Sequence, residues 1–161
     1  MRYYIDTEFN GSGGQLLSIA LVREDGAQFH EALHPHELIV PWVREHVMPQ
    51  MDREPVDRAT MVRKLQKFLR KDGGPFLFVA DWPEDLAHFC ALLIRDHGKR
   101  NDPMSLSCLL VHLPGFDTAA HSARPHNALA DAIALKERVE ANLRGAHAEL
   151  SEHDLARLRV G

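Results

Sequence analysis

Apolar and polar positions change period several times along this chain, and each change marks an element. Residues 2–5 are aromatic and β-branched and predict a short opening strand. Asn10-Gly11-Ser12-Gly13-Gly14 is a turn cluster. From Gln15 to Val22 the apolar positions Leu16, Leu17, Ile19, Leu21 and Val22 are nearly continuous, which predicts a second, largely buried strand. Glu24-Asp25-Gly26 is a hairpin turn signal, and Gln28 to Leu33 is its partner strand. The opening therefore reads as three strands in an antiparallel meander. Residues 34–41 are irregular, with two prolines.

After this the period turns helical. Pro41 to Val47 suits a short helix with proline at its first position. A longer amphipathic helix follows over 57–71, with Met61, Val62, Leu65, Phe68 and Leu69 on one face. Gly73-Gly74-Pro75 ends it, and Phe76 to Ala80 is a compact apolar run that suits a buried strand. Asp85 to Asp96 reads as a helix with Leu86, Phe89, Cys90, Leu92 and Leu93 inward. Residues 104–113 are apolar but fit neither period, and 114–124 read as a loop. A helix is expected over 126–143, and Ser151-Glu152-His153-Asp154 starts a last short one. No internal repeat or low-complexity tract is visible. A three-strand opening followed by strand–helix units predicts an α/β fold, a mixed sheet flanked by helices.

Composition narrows this picture. A chain of 161 residues suits one domain, 1–161, with a real core. Hydrophobic content of 45% and charged content of 26% are ordinary for a soluble globular protein. A net charge of −4 argues against a coat protein that binds nucleic acid non-specifically, which would be basic. It leaves a nuclease open, because bound cations reverse the sign of a carboxylate site. Cys90 and Cys108 sit in apolar surroundings and are expected to be reduced core thiols. Met1 runs straight into the first strand, so no signal peptide is expected, and no apolar run reaches membrane-span length. The expected compartment is a reducing cytoplasm, with no membrane partner.

The candidate chemistry lies where strands end and helices begin. Asp6 and Glu8 are two apart in a strand and so share a face. Two close carboxylates need raised pKa values or a cation, and Mg²⁺ or Mn²⁺ favours such oxygen ligands. An Asp-x-Glu triplet alone is weak, since chance supplies one in roughly half of chains this size, and for the triplet by itself a solvated strand end is the better explanation. Its position directly after an apolar strand adds weight. Asp81-Trp82-Pro83-Glu84-Asp85 follows the buried strand 76–80 and holds three carboxylates. Helix capping accounts for Asp81 or Glu84. A third metal ligand at a strand's carboxyl end is the other reading, and both can hold. His126 and Asp131 lie five residues apart at a helix start, which lets the imidazole lean over the same site.

Taken together and in order, Asp6-Thr7-Glu8, Asp85 and His126-Asn127-Ala128-Leu129-Ala130-Asp131 resemble the 3′–5′ exonucleases of RNase H-like fold named for four acids and a His, the DEDDh type. Pro41 to Pro49 also resembles a segment of a bacterial branch of small exoribonucleases, similar to ribonuclease T and oligoribonuclease. The resemblance spans about residues 3–142. It implies two-metal hydrolysis, with Asp6, Glu8, Asp85 and Asp131 holding two Mg²⁺ or Mn²⁺ ions roughly 3.5–4 Å apart. It implies His126 as general base and release of nucleoside 5′-monophosphates from a free 3′ end. Family members often carry Asn where this chain has Asp81, so Asp81 competes with Asp85 as the mid-chain ligand.

Phe9, just after Glu8, is placed either to stack on a terminal base or to join the core, and Trp82 is a similar candidate for substrate binding. Arg63, Lys64, Lys67, Arg70 and Lys71 lie along the long helix and suit a solvated face as well as a phosphate track. His121 and Arg124 precede the catalytic helix and are candidates to touch the scissile phosphate. The expected partner is single-stranded RNA at its 3′ end, with DNA as the alternative on the same site. A non-catalytic binding module is disfavoured because all five family positions are filled, and an RNase H-like endonuclease by the His-x-x-x-x-Asp string. A homodimer follows from the resemblance alone.

Overall fold

The computed structural model describes residues 1–70, 73–95, 99–100 and 105–158. Strands β1 (Arg2–Phe9), β2 (Leu16–Arg23) and β3 (Gln28–Leu33) form the antiparallel meander. Helix α1 (Pro41–His46) runs into a 3₁₀ turn (Met48–Gln50), followed by the short strand β4 (Pro55–Val56) and helix α2 (Arg58–Leu69). Then come β5 (Phe76–Ala80), helix α3 (Pro83–Leu93), a two-strand ladder of β6 (Ile94–Arg95) and β7 (Lys99–Arg100), and strand β8 (Leu106–Leu110). The short helix α4 (Thr118–His121) precedes the long helix α5 (Ala128–Leu158). The main sheet has six strands in the order β4-β3-β2-β1-β5-β8. The meander is antiparallel, while β5 runs parallel to β1, β8 parallel to β5 and β4 parallel to β3. This is the mixed α/β sheet predicted, in an arrangement consistent with an RNase H-like fold.

The two faces of β1 organise everything else. Successive side chains of a strand point to opposite faces. Tyr3 and Ile5 enter the larger core with Phe76, Phe78, Met61, Leu65 and Phe89, under α2 and α3. Aromatic stacking tightens it, with Tyr3 on Phe78 at 5.2 Å and Phe78 on Phe89 at 4.3 Å between ring centroids. Tyr4 points the other way, onto Leu135 of α5. Ala128 and Ala132, small and fully buried, let α5 approach Ala20 and Val22 of β2. The apolar face of α2 is as predicted, and Asp57 caps it by accepting from the Thr60 N–H at 2.8 Å.

Several boundaries differ from the sequence reading, each for a physical reason. Residues 104–113 hold an edge strand, β8, whose Leu109 and Leu110 stay largely exposed, so no burial period is written there; Met104 lies outside the described residues. The loop 114–124 contains α4, capped by Asp117. Helix α5 begins two residues after His126 and runs unbroken to Leu158, so the last short helix is its continuation rather than a separate element. Helix α3 ends at Leu93 because Ile94 is extended, and Asp96 is outside the described residues. Cys90 on α3 and Cys108 on the edge strand β8 are free and exposed rather than core thiols, and their thiols are hydrogen-bonded to one another.

Candidate metal centre and cleft

The even positions of β1 meet α5 turn by turn. Arg2 donates to Glu140 at 3.0 Å, and the Tyr4 hydroxyl donates to the same carboxylate. Tyr4 then packs on Leu135. Two positions further up β1, Asp6 and Glu8 face Asp131 on the first turn of the helix. One carboxylate oxygen from each of Asp6, Glu8 and Asp131 lies within 4.8 Å of the others. Glu8 and Asp131 are buried and Asp6 is half-buried.

Such crowding raises the carboxyl pKa values. Burial, then the charges of Asp85, Glu8 and Asp131, hold Asp6 well above the usual carboxylate range. Burial, then Asp131 and Asp85, pushes Glu8 up to about 8. Burial also raises Asp131, against hydrogen bonds from Ser122 and from the His126 backbone. The Oδ2 of Asp131 accepts that His126 N–H at 3.1 Å, while its Oδ1 is buried with no hydrogen-bond partner. A buried acceptor without a donor is costly. One oxygen of this carboxylate belongs to the three-oxygen group, and a hard divalent cation is the partner that satisfies such a group of acceptors at once.

Asp85 comes from the first turn of α3, on the far side of β1, and is 2% exposed. Its Oδ1 accepts from the Thr7 N–H at 3.0 Å and the Thr7 hydroxyl at 2.7 Å. Burial pushes Asp85 up to about 7, with Thr7 opposing the rise and Asp81 adding to it. Asp85 reaches the trio through its charge on Asp6 and lines the same cleft, though it is not part of the tight three-oxygen group. Asp81 also lines the cleft, and it accepts a hydrogen bond from the Thr118 hydroxyl, which ties it to the opposite wall. The described geometry thus gives Asp81 a wall-fastening contact and Asp85 a strand-fastening one.

The acids form the floor of an open cleft of about 800 Å³. His126 is on its rim, edge-on to the Trp42 ring at 5.2 Å. Phe9 lines the cleft and leans on His88 at 5.2 Å, so it belongs to the site wall rather than to the core. Trp82 also lines it, 56% exposed, with its indole N–H on Glu84 at 3.0 Å. The far wall is Val111 to Ala119, in which Phe116 stacks on His121 at 4.6 Å. Three contributors carried no clear sequence signal: Thr7, Trp42 and this far wall. Thr7 had one clue, its position between the two acids.

The suggested basic contacts fare differently. Arg124 turns away from the cleft, to Gln50 Oε1 at 3.0 Å and Asp52 Oδ2 at 3.1 Å. His121 is held by the Asp117 carbonyl at 2.7 Å and does not line the cleft. On α2, Lys64 is paired with Glu31 at 2.8 Å and Arg63 with Thr60 at 2.9 Å, as a solvated face would be. Lys71 lies outside the described residues. Among the described residues no Lys or Arg lines the cleft, and no helix is long and apolar enough to cross a membrane. Neither a protein-family model nor a curated protein matches this chain.

Proposed function

We propose that this protein is a metal-dependent 3′–5′ exoribonuclease that removes nucleoside 5′-monophosphates from the 3′ ends of single-stranded RNA or 3′ overhangs. The observation that carries this reading is the convergence of Asp6, Glu8 and Asp131, oxygens within 4.8 Å of one another, in a cleft that also holds Asp85 and His126. Their hard oxygen donors fit Mg²⁺ or Mn²⁺. A pair of such cations, when bound, supplies a nucleophilic water at neutral pH and charge stabilisation for the leaving 3′-oxygen. Asp6, Glu8 and Asp131 would hold them, with Asp85 beside. His126 accepts the proton of the attacking water. The new bond is water oxygen to phosphorus. The bond that breaks joins phosphorus to the 3′-oxygen of the preceding nucleotide, so the phosphate departs on the released nucleoside. Phe9, Trp82 and Trp42 offer faces for the terminal bases. A reducing cytoplasm suits the two free thiols.

The test is degradation of 5′-labelled and 3′-labelled RNA with manganese, beside DNA of the same sequence. Expected are a ladder shortening from the 3′ end, its loss with chelator, and its loss in Asp6→Ala and His126→Ala. Equal or faster attack on DNA would move the assignment to a DNA exonuclease, since the 2′-hydroxyl is the group that distinguishes the two. No metal-dependent hydrolysis of either would overturn it.

A further inference from the structure

His126 is the one non-glycine residue, among those described, with a positive φ, at 62°. A residue with a β-carbon avoids this region unless its surroundings impose it. Here the imposing contacts can be named, and they converge on one short stretch. The Asn127 side chain accepts from the Ala130 N–H at 3.2 Å, capping α5, and donates to the Gln50 carbonyl at 2.8 Å. The Asn127 N–H donates to the Arg124 carbonyl at 3.2 Å. The Arg124 guanidinium forks onto Gln50 Oε1 at 3.0 Å and Asp52 Oδ2 at 3.1 Å, and reaches the Pro49 carbonyl at 3.5 Å. The anchors outside this loop and its helix come from residues 49–52, in and just after the 3₁₀ turn that follows α1. Helix α1 itself lines the cleft with Trp42 and Val43, and Trp42 meets the His126 ring. The turn this creates also aims the His126 N–H at Asp131.

We propose that Arg124, Gln50 and Asn127 are positioning residues that clamp the loop before α5 to the turn after α1 and so hold the His126 imidazole over the acid cluster. This rests on the reading of His126 as the base. Arg124 suits the task because its planar fork serves several fixed acceptors at once, which a lysine ammonium cannot do in the same geometry. The segment that presents Trp42 to a substrate is then the one that fixes the base.

The first experiment needs no activity. Histidine ring ¹H–¹³C spectra are recorded on the full chain, with the His126 signal assigned by its absence in His126→Ala. In the native protein it is shifted by the Trp42 ring current. In Arg124→Ala, Arg124→Lys and Gln50→Ala it moves toward the value of free histidine or broadens, while the signal of His88, which packs on Phe9 away from this network, stays in place. An unmoved His126 signal in all three overturns the clamp, and Gln50→Ala covers the case in which an Arg124 variant fails to fold. The second is kinetic. In Arg124→Ala, kcat on RNA falls at least tenfold and KM changes less than twofold. Adding Arg124→Ala to His126→Ala slows the reaction no further. Full additivity of the two substitutions would mean that Arg124 acts elsewhere. If the native chain cleaves nothing, the functional reading fails while the ring signals still decide the placement.

Discussion

Thr7 donates twice to a single oxygen of Asp85, from its backbone N–H at 3.0 Å and its hydroxyl at 2.7 Å. Both bonds favour the charged carboxylate and oppose the burial that pushes Asp85 up to about 7. Thr7→Val keeps the shape and removes the hydroxyl. A hydrogen bond to a charged group is worth about 1.5–3 kcal/mol. Asp85 should therefore titrate higher in Thr7→Val, and manganese affinity at neutral pH should fall by roughly one to two orders of magnitude, with Thr7→Ser close to native. Calorimetric titration with manganese checks this, and native affinity in Thr7→Val would refute it.

The raised carboxyls link pH, metal and stability. The unfolded chain titrates these groups near 4, whereas folding pushes Glu8 to about 8 and Asp85 to about 7. Between those limits the folded state binds more protons than the unfolded one, so stability falls as pH rises. Their favourable contribution is complete below the unfolded values and is lost as pH passes through the folded ones. In chelator the melting temperature should drop from pH 5 to pH 8, for a loss on the order of a few kcal/mol. Manganese binds the deprotonated form, so its stabilisation should grow over the same interval. Calorimetric scans with and without manganese decide it. A metal-free melting temperature that rises over the interval contradicts the cluster.

Asp131→Asn isolates the repulsion. The amide oxygen can still accept the His126 N–H, while its NH₂ puts a donor in place of the unpartnered Oδ1 and removes one charge from the group with Asp6 and Glu8. Metal-free stability at pH 8 should rise by about 1–2 kcal/mol, the usual gain when a strained functional site is relieved. Activity should be abolished, and manganese should no longer raise the melting temperature. Denaturant unfolding in chelator measures the first effect. A destabilised variant would mean that Asp131 serves the fold rather than a metal.

What the sequence made legible follows from which forces are local. The amphipathic stripe of α2 is written residue by residue and that face formed as read, whereas β1 runs to Phe9, four residues past the aromatic and β-branched stretch 2–5 that signals it. Asp6 and Glu8 on one face follows from the pleat alone. That Asp131 meets them depends on α5 crossing β2 closely, which Ala128 and Ala132 permit but do not announce. Strand β8 was unreadable because an exposed apolar edge has no burial alternation. Arg124 read as a phosphate ligand because a cation before a catalytic helix invites it; its acceptors are some 70 residues away in sequence. The φ of His126 is likewise set by those distant acceptors.

The other end of the β1–α5 contact should matter for stability and not for catalysis. Glu140 is mostly buried, and although burial opposes its charge, hydrogen bonds from Tyr4 and Arg2 hold its pKa below the usual value. A lowered folded pKa stabilises above the unfolded pKa, and that stability is lost as pH falls. Glu140→Gln should cost about 1–3 kcal/mol at neutral pH and progressively less below pH 5, with kcat within about twofold of native because Glu140 lies about two and a half helical turns from Asp131. Urea unfolding at pH 7 and pH 4 tests the pair. An equal cost at both would show that shape, not charge, holds this corner.

Substrate retention should depend on rings more than on cations. Each phosphate neutralised by Lys or Arg adds about −0.7 to the slope of log affinity against log salt for single strands. Among the described residues none of either type lines the cleft, whereas Phe9, Trp42, Trp82 and Phe116 do. Trp42 is pre-oriented by stacking on His46 at 4.7 Å, which reduces the entropy lost when a base covers it. A base–aromatic stack is worth about 1–3 kcal/mol, so Trp42→Ala should raise KM for a short single-stranded RNA by roughly 5- to 100-fold. At saturating manganese, the dependence of KM on sodium chloride should be shallow, with a slope of magnitude near or below about 1. The two measurements are independent. A steep salt slope with an unchanged KM in Trp42→Ala would locate the binding energy on basic residues outside the cleft.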